Sequence, residues 1–69
     1  MARNPLVEFG KRVRAIRKAA GFSQEALADY ADIDRSYLGA IERGEVNLTL
    51  IKIHQIAKAL RISPKEFFS

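Results

Sequence analysis

A chain of 69 residues holds one domain at most, spanning 1–69, and a domain this small buries only about 60% of the surface its unfolded chain exposes. The chain has no cysteine, which excludes disulfide staples, thiolate zinc ligands and a cysteine nucleophile. A hydrophobic fraction of 48% is too high for a disordered tail, and a net charge of +4 suits a polyanionic partner without identifying one.

Punctuation by proline and glycine divides the chain into five short helices with no repeat, low-complexity tract or linker. Asn4 reads as the N-cap of the first helix, Pro5 as its first residue and Gly21 as its stop. Leu6, Phe9, Val13, Ile16 and Ala20 share one stripe at helical spacing. Lys11, Arg14 and Lys18 fall opposite, as a solvated face, and Arg17 lies at the border, half buried. Ser23 caps the second helix, which turns Leu27, Ala28 and Ala31 inward. The connection Ala31-Asp32-Ile33-Asp34 is short, Asp34 caps the third helix and Gly44 closes it.

Thr49 caps the fourth helix, whose inward stripe is Leu50, Ile53, Ile56, Ala57 and Leu60. Ser63-Pro64-Lys65-Glu66 reads as a capping box for a short fifth helix ending in two phenylalanines. No segment alternates with period two over strand length, so the expectation is all-α. No apolar run approaches signal-peptide length or the roughly 20 residues needed to span a bilayer, so a soluble, cytoplasmic protein is expected.

The third helix carries the functional signal. At 100° per residue, Tyr37, Leu38 and Ile41 share one face, and Arg35, Ser36, Gly39, Ala40 and Arg43 the other. That outer face is basic at its ends and small in its middle. A mid-helix glycine costs about 1 kcal/mol relative to alanine, which makes sense where a partner must approach the backbone closely. A DNA major groove admits a helix in that way. Two short helices joined by a tight connection, here about residues 23–43, form the DNA-binding supersecondary unit.

With these features, Arg17, Gly21, Ser23-Gln24-Glu25, Leu27-Ala28, Ile41-Glu42-Arg43-Gly44 and Ile56-Ala57-Lys58-Ala59-Leu60 make the segment from Phe9 to Leu60 resemble the Cro and lambda-repressor type of helix-turn-helix domain, the Xre-like family. The resemblance implies a compact five-helix fold and sequence-specific binding of double-stranded DNA. Gln24 matches a position that bonds phosphate at a helix N-terminus. Arg35, Ser36 and Ala40 match base-reading positions, with Gly39 between them allowing close approach. Arg43, Asn47, Thr49 and Lys52 match backbone contacts, which position the protein without reading sequence. Arg17 and Glu42 match an intramolecular ion pair.

One such helix, roughly 13 Å long, covers about four base pairs at ~3.4 Å each. At ~1–3 kcal/mol per base pair read, that is too little to select a unique genomic site. A two-fold dimer on a palindromic operator supplies the rest. Ile51 points away from the fourth helix's core stripe, towards His54, Gln55 and Lys58. It stands where the family usually has a polar residue, and Leu48 replaces a common proline. Leu48, Ile51, His54, Gln55, Phe67 and Phe68 are the candidate homodimer interface.

The stretch from Asn47 to Leu60, with Phe67-Phe68 after it, is similar to restriction–modification controller proteins, which implies a bacterial or phage-encoded transcription regulator acting on operators near promoters. The alternative is a protein-interaction adaptor or antitoxin using the same fold, but an adaptor gains nothing from Arg35, Ser36 and Arg43 around Gly39. An enzyme is not expected: there is one histidine, no phosphate-cradling glycine loop and no acidic pair around His54. No metal, cofactor or small-molecule ligand is indicated.

Overall fold

A computed structural model describes residues 4–68. Local chemistry sets where its helices begin. The Asn4 side chain accepts from the Leu6 N–H at 2.9 Å, and Pro5 opens α1 (Pro5–Ala19). Ser23 Oγ accepts from the Ala26 N–H at 3.0 Å ahead of α2 (Gln24–Ala31). Asp34 has the extended backbone of an N-cap before α3 (Arg35–Glu42), but its side chain makes no capping hydrogen bond. Thr49 Oγ1 accepts from the Lys52 N–H at 3.2 Å and starts α4 (Leu50–Leu60).

All four helices end with a left-handed residue. Gly21 (φ +82) and Gly44 (φ +77) serve α1 and α3. After α1 the Phe22 N–H donates to the Arg17 carbonyl and the Gly21 N–H to that of Lys18, which satisfies carbonyls the helix leaves open. Asp32 and Arg61, both at φ 58, do the same for α2 and α4 without a glycine to mark the place.

The fold is all-α among the described residues, with four α-helices rather than five. In the fifth place Pro64–Phe68 forms a 3₁₀ helix, in which the Glu66 N–H donates to the Ser63 carbonyl at 3.0 Å. Five residues give an α-helix almost no internal bonds, and the tighter 3₁₀ turn suits so short a piece.

α1 packs on α3, α2 on both α3 and α4, and the 3₁₀ helix on α1 and α4. Val13, Leu27, Leu38, Ile41 and Ile56 are fully buried at the centre, with Phe9, Ala28, Ala31, Ala57, Leu60 and Phe67 around them. Several residues depart from their expected places. Phe67, assigned to a dimer surface, is 3% exposed and stacks edge-on against Phe9 with ring centroids 5.2 Å apart. Leu50, assigned inward, is 74% exposed because it sits at the border of the apolar stripe in the first turn of α4, at the edge of the core. Ala20 is exposed as the C-cap of α1, and Arg17 is wholly rather than half buried.

The tightest crossing is between α1 and α3. A Cβ built on Gly10 would lie 2.7 Å from the Glu42 carbonyl oxygen and would also meet that of Ile41. A Cβ on Gly44 would lie 2.6 Å from Val7 Cα. Both close approaches fall at the C-terminal end of α3, and each requires a glycine, Gly10 on one side of the crossing and Gly44 on the other. This sets how far α3 stands out from the rest of the molecule.

Candidate nucleic-acid interface

The site is assembled on a buried polar cluster. Arg17 on α1 meets Glu42 on α3 through two bonds, Nε to Oε2 at 2.7 Å and Nη2 to Oε1 at 3.1 Å. Arg17 Nη1 donates to the Phe22 carbonyl at 2.8 Å. Gln24, the first residue of α2, donates from Nε2 to Glu42 Oε1 at 3.0 Å. Three helices thus meet at one carboxylate, and both of its oxygens are satisfied. Among the described residues no buried side-chain nitrogen or oxygen lacks a partner. A two-pronged guanidinium–carboxylate contact fixes orientation as well as distance, so α3 is held at a set angle to α1 and α2.

Above this cluster lies an open cleft lined by Arg14, Arg17, Gln24, Gly39, Glu42 and Arg43. Gly39 is buried, not on the open outer face expected of it. The Arg43 side chain lies over it, with Nη1 3.1 Å from where a Cβ would be, and Gln24 Oε1 is 3.9 Å from the same point. The missing side chain makes room for Arg43 to lie across the helix. Arg43 in turn donates from Nε to Glu45 Oε2 at 3.1 Å, with both side chains more than half exposed. Exposed pairs of this kind contribute little and open readily.

Arg35 and Ser36 stand exposed at the start of α3, and Ala40 is half buried one turn further on. Asn47 and Thr49 are exposed in the segment between α3 and α4, where the Thr49 oxygen also caps α4. Lys52 lines a separate open cleft with Asp32, Ile33, Asp34 and Tyr37. Tyr37, read from spacing as inward, is only half buried there.

On the outer stripe of α4, Leu50 and Ile51 (76% exposed) flank His54, whose Nδ1–H donates to the Leu50 carbonyl at 2.9 Å. Gln55 is turned back into the molecule: its Nε2 donates to the Ala31 carbonyl at 2.6 Å and so ties α4 to the end of α2. Leu48 is half buried against the core. Phe68 remains exposed at 66%, with its ring centroid 5.5 Å from that of Phe9.

Two residues of the site escaped the sequence reading. Glu45 lies two residues from Arg43, an adjacency that was visible but has no helical periodicity to mark it as a pair. Arg14 was assigned to a solvated face, and only the position of α1 beside α2 and α3 places it on the cleft. Among the described residues no three His, Asp or Glu side chains cluster as a metal site, and no helix is long and apolar enough to cross a membrane.

Residues 13–67 match the helix-turn-helix family model HTH_3. The control protein C.BamHI of Bacillus amyloliquefaciens is 43% identical over 67 residues, covering 96% of this chain and 83% of its own. The control protein C.MunI of a Mycoplasma species is 36% identical, covering 91% of this chain and 86% of its own. Among solved structures, the restriction-modification controller protein C.AhdI of Aeromonas hydrophila superposes with a TM-score of 0.89 at 51% identity, over 91% of this chain and 96% of its own. With a family match over most of the chain and relatives aligned nearly end to end, this protein belongs to the HTH_3 helix-turn-helix family.

Proposed function

We propose that this protein is a DNA-binding transcription regulator of the restriction–modification controller type, acting as a homodimer on a palindromic operator. The observation that carries this reading is the stance of α3. It is anchored on its inner side by Arg17 and Glu42 and bears exposed Arg35 and Ser36 at the end that would enter a major groove. Arg35 is the base reader of greatest reach, able to bond guanine O6 and N7 together. Ser36 and Ala40 face the same groove. Gln24, Arg43, Asn47, Thr49 and Lys52 hold the flanking phosphates. In this reading Gly39 admits the Arg43 side chain rather than the DNA itself. The protein acts in the bacterial cytoplasm, where its operator is.

The outer stripe of α4 supplies the dimer surface. Leu50 joins Ile51 and His54 there, with Phe68 as a peripheral member. Phe67 takes no part because it is core, and the Gln55 amide is engaged within the subunit. Ile51→Glu is expected to give monomers in sedimentation equilibrium. Two isoleucines withdrawn from an interface forfeit about 1.5–3 kcal/mol each, which weakens the dimer about a hundredfold or more. Helical content should be retained, because Ile51 is exposed in the single subunit. A dimer that persists at the parent's affinity would place the interface elsewhere.

A further inference from the structure

The cleft above the buried cluster carries three arginines, but its net charge is not three. Arg17 is neutralised by Glu42 at 2.7 Å and has a bond from each of its nitrogens. Arg43 is paired with Glu45 at 3.1 Å. Arg14 has no carboxylate partner among the described residues, is exposed, and lines the cleft directly. The uncompensated positive charge of this cleft is therefore that of Arg14. Gln24 adds a neutral donor: one N–H of its Nε2 is held by Glu42, and the other is left to donate.

We propose that this cleft seats one backbone phosphate of the DNA, that Arg14 is the ligand supplying its net attraction, and that Glu45 competes with the phosphate for Arg43. The inference rests on the DNA-binding reading above and adds two residues to it. Gln24 and Arg14 approach the anion from α2 and α1. Arg43 reaches it across Gly39 once its bond to Glu45 opens. An alanine at 39 would crowd Arg43 Nη1 in its present position, so the glycine makes room for this arginine over the cleft. Glu45 makes the exchange a choice between two anions. Its carboxylate holds the guanidinium in the free protein and repels the phosphate in the bound one. The residue thereby lowers affinity for all DNA equally, which keeps non-specific binding weak.

The test compares charge-matched variants by fluorescence anisotropy on a random-sequence duplex, over about 50–200 mM salt. Arg14→Gln and Lys11→Gln remove the same charge from exposed positions on the same helix, three residues apart, but only Arg14 lines the cleft. Arg14→Gln is expected to weaken binding about fivefold and to flatten the log–log salt slope by ~0.9 per protomer. Lys11→Gln should change the slope by less than half as much. Glu45→Gln should tighten binding severalfold and steepen the slope. All three positions are exposed, and thermal melts should match the parent. Equal slopes for Arg14→Gln and Lys11→Gln would overturn the seat. Unchanged affinity in Glu45→Gln would overturn the competition. A parent protein that binds no duplex would overturn the DNA-binding reading itself.

Discussion

Gly10→Ala is expected to destabilise the protein by about 3 kcal/mol or more, at or beyond the upper end of what overpacking a core costs. The added methyl would lie 2.7 Å from the Glu42 carbonyl oxygen and against that of Ile41. Both obstacles are helix backbone and cannot rotate aside. The only relief is for α1 and α3 to move apart, which loosens Phe9 and Val13 against Leu38 and Ile41 and stretches the Arg17–Glu42 bonds. A domain of this size has a total stability of only about 3–5 kcal/mol, so the loss approaches the whole. In a thermal melt followed by far-ultraviolet circular dichroism, each kcal/mol lowers the midpoint by about 4–8 °C. A midpoint within two or three degrees of the parent's would contradict the close crossing.

The second large effect is at Glu42. Glu42→Ala leaves the Arg17 guanidinium in the core with only the Phe22 carbonyl as partner. Stranding one member of a buried pair costs about 3–5 kcal/mol. The pair itself need not contribute that much, because burying two charges offsets most of their attraction. Replacing both, as Arg17→Met with Glu42→Leu, should therefore recover most of the lost stability. DNA affinity should not recover with it. The double variant removes the carboxylate that orients Gln24 and the two-pronged contact that sets the angle of α3. A chemical denaturation series checks the first statement and duplex binding the second. A double variant as unstable as Glu42→Ala would count against the stranded-charge account, and one that bound DNA like the parent would count against the orienting role.

Both predictions depend on features of unequal legibility. Helix starts are local, and Asn4, Ser23 and Thr49 announce them because each side chain bonds a backbone N–H within three residues. Gly21 and Gly44 mark stops for a similarly local reason. Gly10 lies inside a helix with no local need for glycine. Its reason is the backbone of α3, which is more than 30 residues away in sequence. Asp32 and Arg61 end helices in a conformation that glycine usually signals, so nothing in their identity marks the stop. Phe67 and Phe68 are chemically alike, and only the 3₁₀ turn decides which is buried.

The candidate site divides in the same way. Arg35 and Ser36 follow from the face they share on a short helix, and the structure leaves both exposed. Gly39 was recognisable as a place of close approach, but what approaches it is Arg43 of the same chain. Arg14 looks like one of the three cations Lys11, Arg14 and Lys18 on the outer face of α1 until the neighbouring helices are in place. Periodicity reports which way a residue faces on its own helix. It says nothing of what another helix brings to that face.

The central claim is that α3 reads bases, on two subunits at once. Selection of bound duplexes from a random pool, run in parallel on the parent and on Arg35→Ala, tests it most directly. The parent should recover a palindrome with half-sites about one helical turn apart. Arg35→Ala should recover the same symmetry and spacing, with preference relaxed by about 1–3 kcal/mol at one base pair in each half-site. Identical preferences from the two proteins, or a site without two-fold symmetry, would contradict it.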